Sequence, residues 1–301
     1  LAIADVLPDA QVFGVGAERA TSCTSDADAV RPGDVFFAID EADCDGHELA
    51  TRAIERGAKA LVVERPLPLF GISQYVVDDS RVAYSQFCQQ LVGSPSEHLP
   101  TIGIAGSAGK TSTASLLRAI FLAAGKTPGH ITGDELSDGV LTRSACQGRL
   151  TSPALATWLS RMVTHDCSHA VLEVSTDLLR RRVAAGVTLD VACITNIDTD
   201  TRDPSRSMAA LRREMSAVVA QLPANGVAVL NGDDPSCARL LSTLDSPAIT
   251  FGMKRPAEIS AKVISRNANE QVFVLSTGND YAAVRTTIIG DSHIYNCLAA
   301  A

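Results

Sequence analysis

The sequence predicts an α/β protein whose larger part is built on a mostly parallel sheet with a small antiparallel extension. Three observations predict it. Short apolar runs of strand length alternate with amphipathic helical stretches over most of the chain. A strand, a glycine-containing loop and a helix follow one another directly over 101–124. Toward the end, three runs of alternating residues lie close together, one pair of them joined by the turn "GND".

The elements follow in order. "DVFFAI" (34–39), "KALVVE" (59–64) and "QYVVDD" (74–79) read as strands, and "HELATRAIERG" (47–57) as a helix. In that helix Leu49, Ala50, Ala53 and Ile54 share a face, and Gly57 is placed to end it. The polar, proline-containing "VGSPSEHLP" (92–100) reads as a boundary, giving domains at 1–97 and 98–301. The second domain opens with strand "TIGIAG" (101–106), the loop, and a helix from Thr111 to Ala124. Leu116, Leu117, Ile120 and Phe121 give that helix its apolar stripe; Gly125 and Pro128 stop it. "HAVLEVS" (169–175), "DVACITN" (190–196), "GVAVLN" (226–231) and "AITFG" (248–252) are near-continuous apolar runs, as expected of parallel strands covered on both faces. "AKVISR", "EQVFVLST" and "YAAVRTTII" make the antiparallel extension. "IYNCLAAA" reads as the opening of a helix, which suggests a fragment of a longer protein.

Composition bounds the function. At 301 residues, 46% hydrophobic and 20% charged, the chain can bury the cores of two ordinary domains. A net charge of −8 argues against broad nucleic-acid or anionic-membrane binding, since both need a basic surface. No run of roughly 18 apolar residues suggests a membrane span. "LAIADVLPDA" has no basic region and contains two Asp, unlike a signal peptide. The eight Cys are scattered without a C-x-x-C pair, which fits free thiols in a reducing cytoplasm.

The loop "GIAGSAGKTS" (103–112) carries chemistry. A helix N-terminus offers unpaired N–H groups and the positive end of its dipole to a phosphate. Gly106 and Gly109 allow close backbone approach, Lys110 can reach outer phosphates, and the Thr111 hydroxyl can bind Mg²⁺. The spacing is shorter than G-x-x-x-x-G-K-[ST]. Glu173, leaving a buried strand, is a candidate metal carboxylate; a glutamate at a strand end is by itself ordinary, and its weight comes from the loop.

In order along the chain, "GSAGKTS", "LTSP", "LEVSTDLLRRRV", "ITNIDTDTRD", "AVLNGDD" and "IYNCLAA" resemble the Mur ligases of peptidoglycan synthesis. "RPGDVFFAIDEADCDGHELATRAIERGAKALVVE" near the start matches as well. The "TSP" and "EVS…R" blocks look most like the third-residue branch, the UDP-N-acetylmuramoyl-tripeptide synthetases. The resemblance covers nearly the whole chain and lacks the family's C-terminal domain. It implies an N-terminal domain for the UDP substrate and a central P-loop ATPase-type domain. It implies ATP and Mg²⁺ as cofactors, and a UDP-N-acetylmuramoyl peptide and an amino acid as partners. In such enzymes ATP phosphorylates a carboxylate and the incoming amine displaces phosphate.

Carried over by resemblance, Lys110, Thr111 and Ser112 match the ATP-phosphate and first-metal positions, and Glu173 the metal carboxylate. Thr151, Ser152, Ser175 and Arg182 match the muramoyl-peptide side, with Arg181 as the alternative to Arg182. Asn196 lies by the nucleotide; Asn296, with His293 as a second candidate, matches the adenine segment. An ordinary helix cap would account for any one of the hydroxyls. The chain departs from the family pattern in five places. Ala108 replaces the loop Asn, Thr201 a metal-binding His, and Asp177 the His of "SSH". The carbamylated Lys falls at or near Met215, and Asp26-Ala27-Asp28 stands where the pattern is Asp-Ser-Arg. Three readings stay open: a muramoyl-peptide ligase, a nucleotide-binding pseudoenzyme or scaffold of the same fold, and a same-fold ligase with another acceptor.

Overall fold

The computed structural model describes residues 1–41, 44–145, 149–198 and 207–301. Contacts group them into two compact units. The first holds Leu1–Pro95 with Leu150–Ser160 and Arg181–Val187; the second holds Ser96–Arg149, Arg161–Arg180 and Thr188–Ala301. Two short later segments therefore pack with the first unit.

In the first unit, after α1 (Ile3–Val6), strands β1 (Gln11–Phe13), β2 (Cys23–Thr24) and β3 (Val35–Phe37) are followed by the short hairpin β4 (Asp40–Glu41) and β5 (Cys44–Asp45). Then come a 3-10 turn (Gly46–Leu49), α2 (Ala50–Glu55), β6 (Ala60–Val63), β7 (Ser73–Val76) and α3 (Ser80–Leu91). The sheet runs β1-β7-β6-β3-β2, parallel except for the edge strand β1. Strands β3 and β6 are buried throughout, and the period of two divides them between two cores. Val35, Phe37, Ala60 and Val62 face one core with Tyr84 and Phe87 of α3; Phe36, Leu61 and Val63 face the other with Ala50 and Ala53 of α2. The Phe37 ring lies 5.1 Å from Tyr84 and 5.3 Å from Phe87, in tilted packing. Asp79 starts α3, its carboxylate accepting from Arg81 N–H and Val82 N–H.

The second unit carries β8 (Thr101–Ala105), α4 (Lys110–Ala123), β9 (Gly129–Ile131), β10 (Glu135–Ser137) and β11 (Thr142–Ser144). Helix α5 (Ser152–Thr164) begins in the first unit's segment and ends in the second's. Next are β12 (Ala170–Val174), α6 (Thr176–Arg180), β13 (Val191–Ile194), α7 (Met208–Val219), β14 (Val227–Asn231) and α8 (Pro235–Leu241). The unit closes with β15 (Ala248–Gly252), β16 (Ile259–Arg266), β17 (Gln271–Thr277), β18 (Asp280–Thr286) and α9 (Asp291–Ala300). Its sheet runs β11-β10-β9-β12-β8-β13-β14-β15-β16-β17-β18. Strands from β9 to β16 in that order are parallel; β10 and β11 at one edge, and β17 and β18 at the other, are antiparallel.

The parallel centre and the antiparallel end at β16–β18 are as the sequence predicts. The antiparallel strands β10 and β11 at the opposite edge are an addition. Helices α4 and α9 supply Ala114, Ile294 and Leu298 to a core over Ile102, Ile104, Cys193 and Phe251. On β8, Gly103 takes no side chain because a Cβ there would sit 2.6 Å from Leu189. Among the described residues no helix is long and apolar enough to cross a membrane.

Candidate phosphate and metal site

Four neighbouring parallel strands, β12, β8, β13 and β14, end on the same side of the second unit's sheet. The crevice outside such carboxyl ends is where open α/β sheets bind ligands. Strand β8 ends at Ala105, and Gly106 turns the chain with φ +140°. A Cβ at 106 would lie 2.2 Å from Thr195 Oγ1, so only glycine lets the loop cross the end of β13. Gly109, with φ +83°, starts α4; a Cβ there would lie 2.4 Å from Asn296 Oδ1 of α9.

The loop is pinned from β13. Asn196 accepts from Ala108 N–H and donates to Ala108 O, both at 2.9 Å, and Thr195 Oγ1 donates to Ala108 O at 2.6 Å. Ser107 N–H donates to Asn196 O at 3.1 Å, and Ser107 Oγ donates to Asp198 O at 2.6 Å. Asn196 therefore shapes the loop before it touches any ligand. Alanine at 108 is tolerated because the clamp uses only its backbone.

Lys110 folds back across the loop, its Nζ donating to Gly106 O at 2.9 Å and reaching Ser107 O at 3.5 Å. One residue on, Thr111 Oγ1 donates to Glu173 Oε2 at 2.8 Å. Glu173 is buried and precedes Val174 at the end of β12, where it pairs in register with Ile104. Its Oε2 also accepts from Gly133 N–H at 2.9 Å. A hydroxyl and a carboxylate so close form a hard-oxygen pair suited to Mg²⁺. Among the described residues no three His, Cys, Asp or Glu side chains gather to hold a metal. An ion on this pair would therefore draw its other ligands from phosphate and water, as Mg²⁺ commonly does.

Beside the loop lies a cavity of about 270 Å³ lined by Gly109, Ser112, Asn196, Asn231, Tyr295 and Asn296, among others. Four residues singled out from sequence thus converge there: Gly109, Ser112, Asn196 and Asn296. His293 is turned elsewhere, its Nε2 lying 3.2 Å from Thr286 Oγ1 and 3.7 Å from Cys297 Sγ, and burial lowers its pKa. Sequence reasoning assigned no role to Asp233 or Tyr295. The Tyr295 hydroxyl donates to Asp233 Oδ2 at 2.8 Å, and that carboxylate also accepts from the N–H groups of Met253, Lys254 and Arg255. Burial would raise the Asp233 pKa, but these donors outweigh it and hold the carboxylate below its usual range. The anchor ties Tyr295 of α9, next to Asn296, to the end of β14, while Ile294 and Leu298 pack the helix into the core. The available signal was the acidic pair in "NGDD".

The remaining candidates separate by unit. Ser175, in the second, caps α6 by accepting from Leu178 N–H at 3.3 Å. Asp177 pairs with Arg149 and, at 3.4 Å, with Arg180. Thr151, Ser152 and Arg182 belong to the first unit. Thr151 Oγ1 accepts from Ala154 N–H at 3.4 Å, Ser152 is buried, and Arg182 lies 3.6 Å from Asp79 with φ +55°. Arg181 donates to Leu150 O at 2.7 Å. In the altered Asp26-Ala27-Asp28 stretch, Asp26 accepts from Asp28 N–H and Asp28 pairs with Arg52. Met215 is fully buried in α7. The Asp200-Thr201 pair lies outside the described residues.

Comparison with known proteins meets this geometry. The profile of the Mur ligase middle domain matches residues 104–301. The UDP-N-acetylmuramoyl-L-alanyl-D-glutamate–2,6-diaminopimelate ligase of Geobacillus kaustophilus (strain HTA426) is 32% identical over 301 residues, covering 98% of this chain and 61% of that protein. The chain thus spans about three-fifths of that relative's length. A solved UDP-N-acetylmuramoyl-L-alanyl-D-glutamate–2,6-diaminopimelate ligase superposes with a TM-score of 0.81 at 17% identity, covering 100% of this chain and 62% of its own. A MurF ligase from Thermotoga maritima in complex with ADP gives 0.57 at 18% identity, covering 93% and 61%. At these identities the two structures speak for the fold alone. The profile match extends over well over half of the chain and takes in the loop, Glu173, Asn196 and Asn296, so the chain belongs to the Mur ligase family.

Proposed function

We propose that this chain is the nucleotide- and acceptor-binding part of an ATP-dependent ligase that joins an amino acid to a UDP-N-acetylmuramoyl dipeptide in peptidoglycan synthesis. One observation carries the reading: Lys110 lies across a glycine loop at the start of α4, and Thr111 beside it meets Glu173 at 2.8 Å. Phosphate would draw the Lys110 ammonium from the Gly106 and Ser107 carbonyls, and the first N–H groups of α4 would add their dipole. Thr111 and Glu173 would hold Mg²⁺, which supplies charge neutralisation at the phosphates. The ADP-bound Mur ligase of like fold and the diaminopimelate-adding relative support the nucleotide and the acceptor respectively. In this reading the γ-phosphoryl group passes to the acceptor carboxylate. ADP departs with the electrons of the broken phosphoanhydride bond. The amine nitrogen then bonds the carbonyl carbon, phosphate departs with the electron pair of its acyl bond, and the nitrogen gives up a proton to water. The loop's task is orientation and charge placement.

Met215 favours a second reading, nucleotide binding without ligation. A buried thioether offers no carbamate oxygens, and the family pattern has a lysine at or near this position. Calorimetric titration with Mg·ADP tests the shared premise. The wild type is expected to bind and Lys110→Ala to bind roughly 10–100-fold more weakly, the range for a lost bond to a charged group. Unchanged affinity in the variant removes the loop from the site. In the full-length protein, ADP release that requires both UDP-N-acetylmuramoyl dipeptide and an amino acid supports the ligase; nucleotide binding without such release supports the second reading.

A further inference from the structure

Glu173 does not keep its orientation unaided. Besides the Thr111 hydroxyl, its Oε2 receives the N–H of Gly133, which lies in the turn between β9 and β10. Thr132 closes that turn. Its N–H donates to Glu135 O at 2.9 Å, and its hydroxyl donates to the same oxygen at 3.0 Å while accepting from Glu135 N–H at 3.1 Å. The Glu135 carboxylate then leaves the turn for two other elements. Oε1 lies 2.8 Å from His130 Nε2 of β9 and 3.4 Å from Arg118 Nη1 of α4. The contacts form a closed circuit. It runs from Thr111 to Glu173, to Gly133, through the turn to Glu135, and back to α4 at Arg118, about two helical turns past Thr111.

The links are unequal. Arg118 and Glu135 side chains are 41% and 39% exposed, so their long contact contributes little. The His130 side chain is 3% exposed, and its bond to Glu135 is shielded on one side. The His130 Nδ1 is buried, with no hydrogen-bond partner among the described residues. A neutral ring with its proton on Nε2 leaves only a bare lone pair there; the other tautomer would bury an unpaired N–H. His130 is therefore assigned as the donor and Glu135 as the acceptor.

We propose that Glu135, held by His130, is a positioning residue for the Thr111–Glu173 oxygen pair and sets how tightly the site takes Mg²⁺ together with a nucleotide. The proposal rests on the nucleotide and Mg²⁺ reading above. Glu135 acts through Gly133 N–H, which fixes the Glu173 carboxylate in the rotamer that meets Thr111.

The test is calorimetric titration of the whole chain with ADP, once with Mg²⁺ and once with EDTA. Glu135→Ala is expected to weaken Mg·ADP binding about 10-fold, the lower end for outer partners of metal ligands, and to leave metal-free ADP within about two-fold. Glu135→Gln keeps an acceptor for His130 and is expected to recover most of the loss. His130→Leu removes the donor and should reproduce Glu135→Ala; it decides the matter where Glu135→Ala fails to fold. Equal loss with and without Mg²⁺, or no loss in either variant while the wild type binds Mg·ADP, overturns the positioning role. Failure of the wild type itself to bind Mg·ADP overturns the nucleotide reading, a separate outcome.

Discussion

Gly106 holds the tightest spot in the site. A Cβ there would meet Thr195 Oγ1 at 2.2 Å and the Asn196 backbone at 3.0–3.1 Å, at φ +140°. Gly278 also has positive φ, +60°, but a Cβ there meets nothing within 4 Å. Gly106→Ala is therefore expected to cost about 2–3 kcal/mol and to abolish Mg·ADP binding, whereas Gly278→Ala costs about 1 kcal/mol of backbone strain and leaves binding intact. Urea midpoints and calorimetry on the pair check this; equal costs would place the strain in φ alone. Lys110 and Thr111 stood out as candidates in the sequence because a strand–loop–helix segment announces itself locally; Glu173, an ordinary strand-end acid by itself, stood out only beside that loop. Asp233, Tyr295, His130 and Glu135 were not. The Asp233–Tyr295 anchor depends on contacts made across 62 positions, and the Glu135 role on a turn that carries no apolar periodicity.

At the scale of elements, the hairpin β10–β11 shows how an edge is secured. Asp138, in its turn, accepts from Val140 N–H at 3.1 Å and Leu141 N–H at 2.7 Å, and from Arg161 Nε at 2.6 Å; His165 Nδ1 lies 3.3 Å away. Its side chain has no exposed surface. Burial would push the Asp138 carboxyl up, but the two N–H donors and the guanidinium outweigh it and hold it below its ordinary value. A depressed carboxyl contributes stability that is present above its unfolded pKa and lost as pH falls through its folded one. The hairpin is thus expected to loosen in acid, below about pH 4. Asp138→Asn should cost about 1–3 kcal/mol at pH 7 and flatten that acid limb; an unaltered pH profile would remove Asp138 as its source. The strands β9, β10 and β11 escaped the sequence reading because each is three residues long and mostly polar or mixed. The parallel strands were readable because burial on both faces makes them apolar without interruption.

Across the whole molecule, the loop contacts and the oxygen pair described above join residues of the second unit. Mg·ADP at 100 times its Kd is expected to stabilise that unit by about 2.7 kcal/mol. Hydrogen exchange should show the protection concentrated at 107–112 and 195–196; protection that avoids both segments would place the nucleotide elsewhere. The α/β class and the parallel order of the large sheet were readable from the alternation of runs. The share of the first unit taken by 150–160 and 181–187 was not, since their partners lie far off in sequence. Distance along the chain has a consequence of its own. Asn296, Tyr295 and Ser292 stand against a loop laid down almost 190 residues earlier. At ribosomal speeds of about 5–20 residues per second, Gly109 waits roughly 10–40 s for its neighbour. Throughout that interval the loop stands without the α9 wall of its cavity, which closes only once residues 292–296 have been made.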